Sequence, residues 1–259
     1  MRSPLNLPSS FSPLPSRSTL RERLRRMRPS RFVKQMPKNP PITTILVPQG
    51  AEYKAVYRGL KPITGAKPTL LSIPVGMRPL RQYLQQWNGE IPSRVLLMGL
   101  CGSLQKRHTV GDIVLYEDCL YQGQLQKCDS SLTAQIHTHL QNNRLVRGLT
   151  SDRIISSATE KQHLGKISGA DVVDMEGFTA LEFCQSAGIA AAILRVVSDD
   201  SHHDIPNLTP AISPDGSLQP LKLTWAFIRQ PLAATNLIRG SLQGLKVLEQ
   251  VTTSLFSTY

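Results

Sequence analysis

The stretch Ile189–Asp200, IAAAILRVVSDD, is the most strongly apolar segment of the chain and ends in two adjacent acids. Its run of small and β-branched residues, Ile189–Val197, predicts a strand buried on both faces. Upstream, Val172–Val173 predicts a short strand that enters a helix at Gly177–Ala187. A strand, a helix and a buried strand in this order are typical of a parallel sheet covered by helices.

The same alternation extends back to Ile42. Apolar runs predict five further strands, at Ile42–Val47, Leu70–Val75, Arg94–Met98, Val110–Tyr116 and Arg153–Ser157. Helical spacing predicts helices at Ala51–Leu60, at Leu132–Gln141 and on both sides of Pro231 within Leu218–Thr253. The last two are expected to pack on the sheet through Leu221, Trp225, Ile228, Leu237, Leu242, Leu245 and Leu248. The predicted fold class is α/β: a single domain, residues 41–259, with a central mixed, largely parallel twisted sheet flanked by helices.

The charge of the chain is concentrated at its start. Of the 259 residues, 30 are Lys or Arg and 18 are Asp or Glu, which gives a net charge of +12. Residues 1–40 hold ten of the bases and one acid, so residues 41–259 are close to neutral. A near-neutral body gives no reason to expect nucleic acid as a partner of the main domain.

Residues 1–40 are rich in Pro, Ser and Arg, and three interpretations stay open. They form a disordered basic extension, an organelle transit peptide, or a basic clamp for RNA or an anionic membrane through Arg21–Arg28. Unless residues 1–40 are a transit peptide, a cytoplasmic location is expected.

The four cysteines have no zinc-like spacing and indicate reduced thiols. No apolar run has the roughly 20 residues of a membrane-spanning helix.

Three carboxylates lie where predicted strands give way to the next segment. Glu176 precedes a helix, whose N-terminus favours an ionised carboxylate that binds a ribose diol; the alternative is a simple capping acid. Asp199 follows the buried strand, where burial and the adjacent Asp200 favour a proton-holding general acid; the alternative is a solvated loop residue. Glu52 follows the first strand, and two orientations stay open: its side chain points into the crevice and acts as a base, or it points out to solvent.

Other reactive groups suggest less chemistry. The predicted glycine turn Gly99–Leu104 allows close approach to a flat ligand but has no phosphate-loop pattern. Apolar surroundings disfavour thiolates at Cys101 and Cys184. The sequence His202-His203-Asp204 lacks the spacing of metal ligands, so neither a metal nor a cofactor is expected.

Taken together, these segments resemble the nucleoside phosphorylase superfamily, in its methylthioadenosine/S-adenosylhomocysteine nucleosidase-like branch. The resemblance runs from about Ile42 to Val251. It rests on the ordered motifs ILVPQGAE (Ile45–Glu52), GLCGSL (Gly99–Leu104), VGDIV (Val110–Val114), VDME (Val173–Glu176) and Ser198-Asp199. Further matches look like the hopanoid-associated phosphorylases: Lys161, Leu164 and Gly169-Ala170, then Pro214–Gly216 and Arg229–Pro231.

The resemblance implies cleavage of a purine N-glycosidic bond in a 5′-substituted adenosine such as methylthioadenosine, S-adenosylhomocysteine or an adenosylhopane-like nucleoside. It assigns Asp199 as the acid toward purine N7 and Glu52 as the residue that orients water. Glu176 and Met175 are expected to bind ribose. Cys101 and Gly102 are expected to line the purine, Gly99 belongs to the purine-side glycine turn, and Ser198 is expected among the substrate-binding residues. The purine-stacking aromatic has no clear counterpart, because Phe178 is expected to face the core. A homo-oligomer is also expected.

Two leucines decide which acceptor, water or phosphate, the sequence favours. Where hexameric relatives place an Arg and a Ser around the glycine turn, this chain has Leu97 and Leu100. Burying a phosphate dianion against them would cost several kcal/mol. The sequence therefore favours hydrolysis, unless Arg58, Arg78 or an arginine of a neighbouring subunit reaches the site. The alternative functional class is a catalytically reduced nucleoside-binding or scaffold protein of the same fold.

Overall fold

The computed structural model describes residues 41–89, 92–140, 142–211, 213 and 219–257. The eight strands of these regions are β1 (Thr44–Pro48), β2 (Thr69–Ile73), β3 (Arg94–Ser103), β4 (Ile113–Tyr121), β5 (Gln124–Lys127), β6 (Asn143–Thr150), β7 (Val172–Asp174) and β8 (Ala190–Asp199). The seven α-helices of the same regions are α1 (Ala51–Leu60), α2 (Met77–Gln85), α3 (Ser130–His139), α4 (Ala158–Ser168), α5 (Gly177–Ala187), α6 (Pro220–Arg229) and α7 (Pro231–Phe256). A short 3₁₀ turn, Thr209–Ala211, precedes α6.

The strands form one mixed sheet in the order β2-β1-β3-β7-β6-β4-β5, and β8 pairs with both β3 and β4. Pairing is parallel for β1–β2, β1–β3, β3–β8, β4–β6 and β6–β7, and antiparallel for β3–β7, β4–β5 and β4–β8. The fold class predicted from the sequence is thus confirmed. Because β8 bridges β3 and β4, the central strands close into a ring, which brings the ends of β3 and β8 together.

Two hydrophobic clusters hold the helices on the sheet. One lies under α2 and α5 and includes Leu80, Phe178 and Ile193. The other lies under α1 and the C-terminal half of α7 and includes Val56 and Leu255. Burial of such side chains contributes roughly 1.5–3 kcal/mol each, so the strand ends that carry the polar groups rest on a packed scaffold.

Three local predictions were wrong. The stretch Arg153–Ser157 is not a strand; the strand is β6, which contains two arginines, is fully buried at only three of its eight positions and has no continuous apolar run. Strand β3 does not stop at Met98 but continues to Ser103, with a bulge between Cys101 and Gly102. The segment Gly99–Leu104 is therefore mostly strand rather than turn.

The C-terminal helices are separated at Pro231, as predicted, but their packing differs from the prediction. Leu248 is fully buried, whereas Leu221, Trp225, Ile228 and Leu242 are exposed. Two glycines bring α7 against the end of β8: a Cβ at Gly240 would collide with the carbonyl oxygen of Ser198, and one at Gly244 would lie 3.0 Å from Leu100. None of the helices in the described residues is both long and apolar enough to cross a membrane.

Candidate active site

A cavity of about 200 Å³ lies where β3 and β8 end and where β7 passes into α5. Seven of the eight site residues proposed from the sequence line it: Glu52, Cys101, Gly102, Met175, Glu176, Ser198 and Asp199. The eighth, Gly99, does not line the cavity. The remaining wall is mostly aliphatic and comes from Val75, Ile154, Ile155, Ile205, Leu208 and Leu237. The site thus joins residues that lie more than a hundred positions apart in the sequence.

Glu176 is buried directly before α5 and makes no capping hydrogen bond to that helix. Its Oε1 accepts the backbone N–H of Gly76 at 2.9 Å, and its Oε2 accepts Nη2 of Arg195 at 3.1 Å. Burial raises the pKa of Glu176, and the nearby Arg195 opposes that shift. The helix terminus was expected to favour the ionised form, but burial outweighs it. Glu176 faces the cavity, so the capping alternative is excluded.

Arg195 is a fully buried residue of β8 that pairs with two carboxylates. Its Nε and Nη2 donate to Oδ2 of Asp174 at 3.2 and 2.9 Å, in addition to the bond to Glu176. Burial lowers the pKa of Arg195, but Asp174 and Glu176 raise it more, so the guanidinium stays charged. Asp174 is fixed in turn by the hydroxyl of Thr150 at 2.7 Å. This network fixes the position of the Glu176 carboxylate.

Glu52 lies in the first turn of α1 and points into the cavity. Its Oε1 accepts the backbone N–H of Leu100 at 2.6 Å. Burial raises the pKa of Glu52 to about 7, against the lowering effect of Arg195. A carboxylate with a pKa near neutrality is suited to accept a proton from water at physiological pH.

Gly99 explains how these side chains fit together. A Cβ at this position would collide with Nη1 of Arg195 and lie 2.6 Å from Oε1 of Glu52. Glycine is therefore needed because two charged side chains cross the backbone of β3 here, and not because the strand turns. Nη1 of Arg195 is buried and has no hydrogen-bond partner among the described residues.

Asp199 ends β8, and both of its carboxylate oxygens have partners. Oδ1 accepts the hydroxyl of Ser198 at 2.8 Å, and Oδ2 accepts the ammonium of Lys161, which is fully buried in α4. Nζ of Lys161 also donates to the carbonyl oxygen of Asp200 at 3.0 Å. At the bulge in β3, Gly102 lies opposite Asp199, and a Cβ there would lie 2.8 Å from Oδ2. These contacts hold the Asp199 side chain in one position at the cavity.

Asp200, which the sequence suggested as an influence on Asp199, is engaged elsewhere. One oxygen of its carboxylate accepts the N–H groups of His202 and His203 at 2.9 and 3.0 Å. Although partial burial would raise the pKa of Asp200, these hydrogen bonds lower it. Asp200 therefore stabilises its loop. Groups of three or more His, Cys, Asp or Glu able to hold a metal ion are absent from the part of the chain that the structure describes.

The four cysteines are free and buried. Burial raises the pKa of Cys184 to about 12 and moves that of Cys101 well above its usual range. The prediction that neither forms a thiolate is confirmed. Phe178 packs in the core with its ring centroid 5.6 Å from that of Tyr121, also as predicted.

Sequence reasoning gave no role to Arg195 or Asp174 and quoted Lys161 only as part of a motif. One signal was present: Arg195 is a charged residue inside the most apolar strand, and such a residue needs buried partners. Lys161 gave no comparable signal, because α4 has an ordinary mixed composition.

Comparison with known proteins agrees with this architecture. The family model described as the phosphorylase superfamily matches residues 35–229, well over half of the chain. The chain belongs to the phosphorylase superfamily. It is therefore an enzyme of the nucleosidase or phosphorylase class. A search of curated proteins found no significant match.

Solved structures show the same fold at low sequence identity. The 5′-methylthioadenosine/S-adenosyl homocysteine nucleosidase of Campylobacter jejuni has a TM-score of 0.60 at 13% identity, covering 85% of this chain and 100% of its own. Futalosine hydrolase of Helicobacter pylori has a TM-score of 0.59 at 14% identity, with 83% and 97% covered. A putative nucleosidase of the first kind from Borrelia burgdorferi, bound to adenine, has a TM-score of 0.62 at 14% identity, with 83% and 99% covered. At 13–14% identity, the similarity to these three structures establishes the fold of this chain and nothing about its substrate.

Proposed function

We propose that this phosphorylase-superfamily enzyme cleaves the N-glycosidic bond of a 5′-substituted adenosine and releases adenine, with water as the acceptor. The observation that carries the proposal is the convergence of Glu52, Glu176 and Asp199 on one cavity, each held by a separate set of hydrogen bonds. Cleavage of this bond needs an acid for the leaving purine, an anion near the ribosyl cation and a base for the nucleophile. The nucleosidases that share the fold support this reaction class.

Each carboxylate has one role in the reaction. Asp199 first takes up a proton on one of the oxygens that accept Ser198 or Lys161, and it gives this proton to purine N7 as the C1′–N9 bond breaks and the bonding electrons leave with the base. Glu176 accepts hydrogen bonds from the ribose hydroxyls and stabilises the positive charge that develops on the sugar. Water then adds to C1′, and its proton passes to Glu52. Met175 contacts the sugar, and Gly102 and Cys101 lie on the purine side.

The charges around the site favour water over phosphate. Leu97 is buried in the core and Leu100 lines the cavity. Because leucine side chains have no hydrogen-bond donor, neither can bind a phosphate through its side chain. Of the alternative cations, Arg58 and Arg78 are exposed, and Arg58 pairs with Glu249. The site cations already have carboxylate partners: Arg195 has two, Lys161 has Asp199, and the cavity-lining Arg153 has Glu160. A phosphate dianion would compete with these carboxylates and lie close to Glu52 and Glu176.

Product analysis tests the reaction. The full-length enzyme is incubated with 5′-methylthio, homocysteinyl and long-chain 5′-substituted adenosines, with and without phosphate. Adenine and a free 5-substituted ribose in the absence of phosphate are expected. A ribose 1-phosphate formed only with added phosphate would establish phosphorolysis instead. Nucleoside binding without adenine release would favour the catalytically reduced binding protein.

Substitution of Glu176 by Gln is expected to lower kcat/KM for the ribonucleoside by about 10- to 100-fold, because charge-assisted hydrogen bonds to the sugar hydroxyls are lost. The loss for the matching 2′-deoxynucleoside should be smaller, since one of these bonds is absent from the start. Steady-state kinetics on both substrates measures the difference, and thermal unfolding checks the fold. Equal losses on the two substrates would refute the assignment of Glu176 to the ribose diol.

Lys161 acts as a positioning residue for Asp199. Its ammonium binds Oδ2 of Asp199 and stabilises the carboxylate that remains after Asp199 has protonated the purine. In Lys161→Met, kcat should fall about tenfold or more with a smaller change in KM, because Asp199 loses the contact that holds its carboxylate at the cavity. Lys161→Arg keeps the charge and serves as the control. A Met variant with the wild-type kcat would leave Lys161 a structural residue only.

A further inference from the structure

The helices α6 and α7 present an apolar surface to solvent. We call it the α6–α7 apolar face; it consists of Leu221, Trp225, Ile228, Leu232, Ile238 and Leu242. These six are the majority of the ten large apolar side chains that are exposed within the described regions. Leu221 is 87% exposed and Leu232 is 83% exposed. Large exposed apolar side chains grouped on two consecutive helices in this way are typical of an interaction site.

The orientation of this face is fixed by the packing of α7. At Gly240 and Gly244 the helix backbone lies so close to the end of β8 that a side chain at Gly240 would collide with Ser198. Further along, Leu248, Val251 and Leu255 are buried against the sheet. Because the opposite side of α7 is committed to these contacts, rotation of the helix cannot bury Ile238 and Leu242.

The charged residues of α6 and of α7 up to Leu248 have one sign. Residues 219–248 contain Lys222, Arg229, Arg239 and Lys246 and no Asp or Glu. Arg229, Arg239 and Lys246 are exposed, and the guanidinium carbon of Arg229 lies 4.8 Å from the centroid of the Trp225 ring. The partner must therefore be apolar and negatively charged.

A second copy of the chain does not meet that requirement. A two-fold contact through this face would place the same bases opposite each other, with no acids in the segment to pair with them. The expected homo-oligomer would form through another face. By contrast, apolar side chains beside Arg and Lys, with a Trp at the boundary, are typical of helices that lie in the interface of an anionic bilayer.

We propose that the α6–α7 apolar face binds the surface of an anionic lipid bilayer. Leu221, Trp225 and Ile228 enter the boundary between headgroups and acyl chains, and the neighbouring Arg229 and Arg239 contact anionic headgroups. The face lies on the helix that also supplies Leu237 to the cavity wall, so bilayer binding places the active site next to the membrane surface.

Vesicle flotation of the full-length protein tests this binding, in the absence of nucleoside so that the result is independent of the proposed reaction. The vesicles contain phosphatidylcholine alone or with about one quarter phosphatidylglycerol. The test variant combines Leu221→Ser, Trp225→Ser and Ile228→Ser. The control variant combines Leu125→Ser, Leu145→Ser and Ile167→Ser, which removes three exposed apolar side chains from other surfaces.

The wild type and the control are expected to float with the anionic vesicles, and the test variant should bind about tenfold less or weaker still. Electrostatic binding through the basic residues 1–40 alone would persist in the test variant, so equal flotation of wild type and test variant would overturn the proposal. A wild-type protein that floats with neither kind of vesicle would also overturn the proposal. Sedimentation velocity without lipid adds a third outcome: dissociation of an oligomer in the test variant, with unchanged flotation, would make the face a contact between copies.

Discussion

Substitution of Asp199 by Asn is expected to reduce adenine release by about 10²–10⁴-fold while the fold stays intact. The amide has nearly the same volume; its oxygen can still accept the ammonium of Lys161, and its NH₂ group can donate to Oγ of Ser198, which in the native structure donates to the carboxylate. It cannot transfer a proton to purine N7, so the base must leave as an anion. The loss should appear mainly in kcat.

The adjacent acid provides a matched control. Asp200→Asn removes the same charge one residue away, but Asp200 is engaged with His202 and His203 of its own loop. An Asn side chain can still accept these backbone N–H groups, and activity within a few-fold of wild type is expected. Near-wild-type turnover in Asp199→Asn, with unchanged thermal unfolding, would remove Asp199 from the mechanism.

The second large effect is expected at Glu52, in the dependence of kcat/KM on pH. Burial raises the pKa of this carboxyl group to about 7, and only its ionised form accepts a proton from water. The rate should therefore increase about tenfold per pH unit well below pH 7 and level off above it. Because an amide is not a base, Glu52→Gln should lower the plateau rate about 10²–10³-fold and should remove the rising limb.

Glutamine at position 52 still offers an oxygen to the N–H of Leu100, so the local backbone should be retained. Glu249→Gln is the control, since that carboxylate is exposed and pairs with Arg58 outside the cavity. The measurement is kcat/KM across about pH 5 to pH 9 for the three proteins. A rising limb that persists in Glu52→Gln would assign the titration to another group.

Residues at strand ends were open to prediction from the sequence. Glu52, Glu176 and Asp199 each follow an apolar run, and the ends of neighbouring strands in such a sheet meet at one edge. The convergence of these side chains on one cavity follows from that geometry. The charged or interrupted elements were harder to predict: β6 contains two arginines and no continuous apolar run, and β3 continues through two glycines that suggested a turn.

What the sequence determined by itself is the set of apolar runs, and with it the α/β class and the places where the acids emerge. The apolar pattern is local, since each residue contributes its own transfer free energy whatever its distant neighbours are. Which ion pairs form was decided only by the tertiary structure. Arg195 joins Asp174 and Glu176, and Lys161 joins Asp199, across gaps of 19 to 38 residues. The free energy of a buried charge depends on partners within a few ångströms, and closure of the strands through β8 is what brings those partners together.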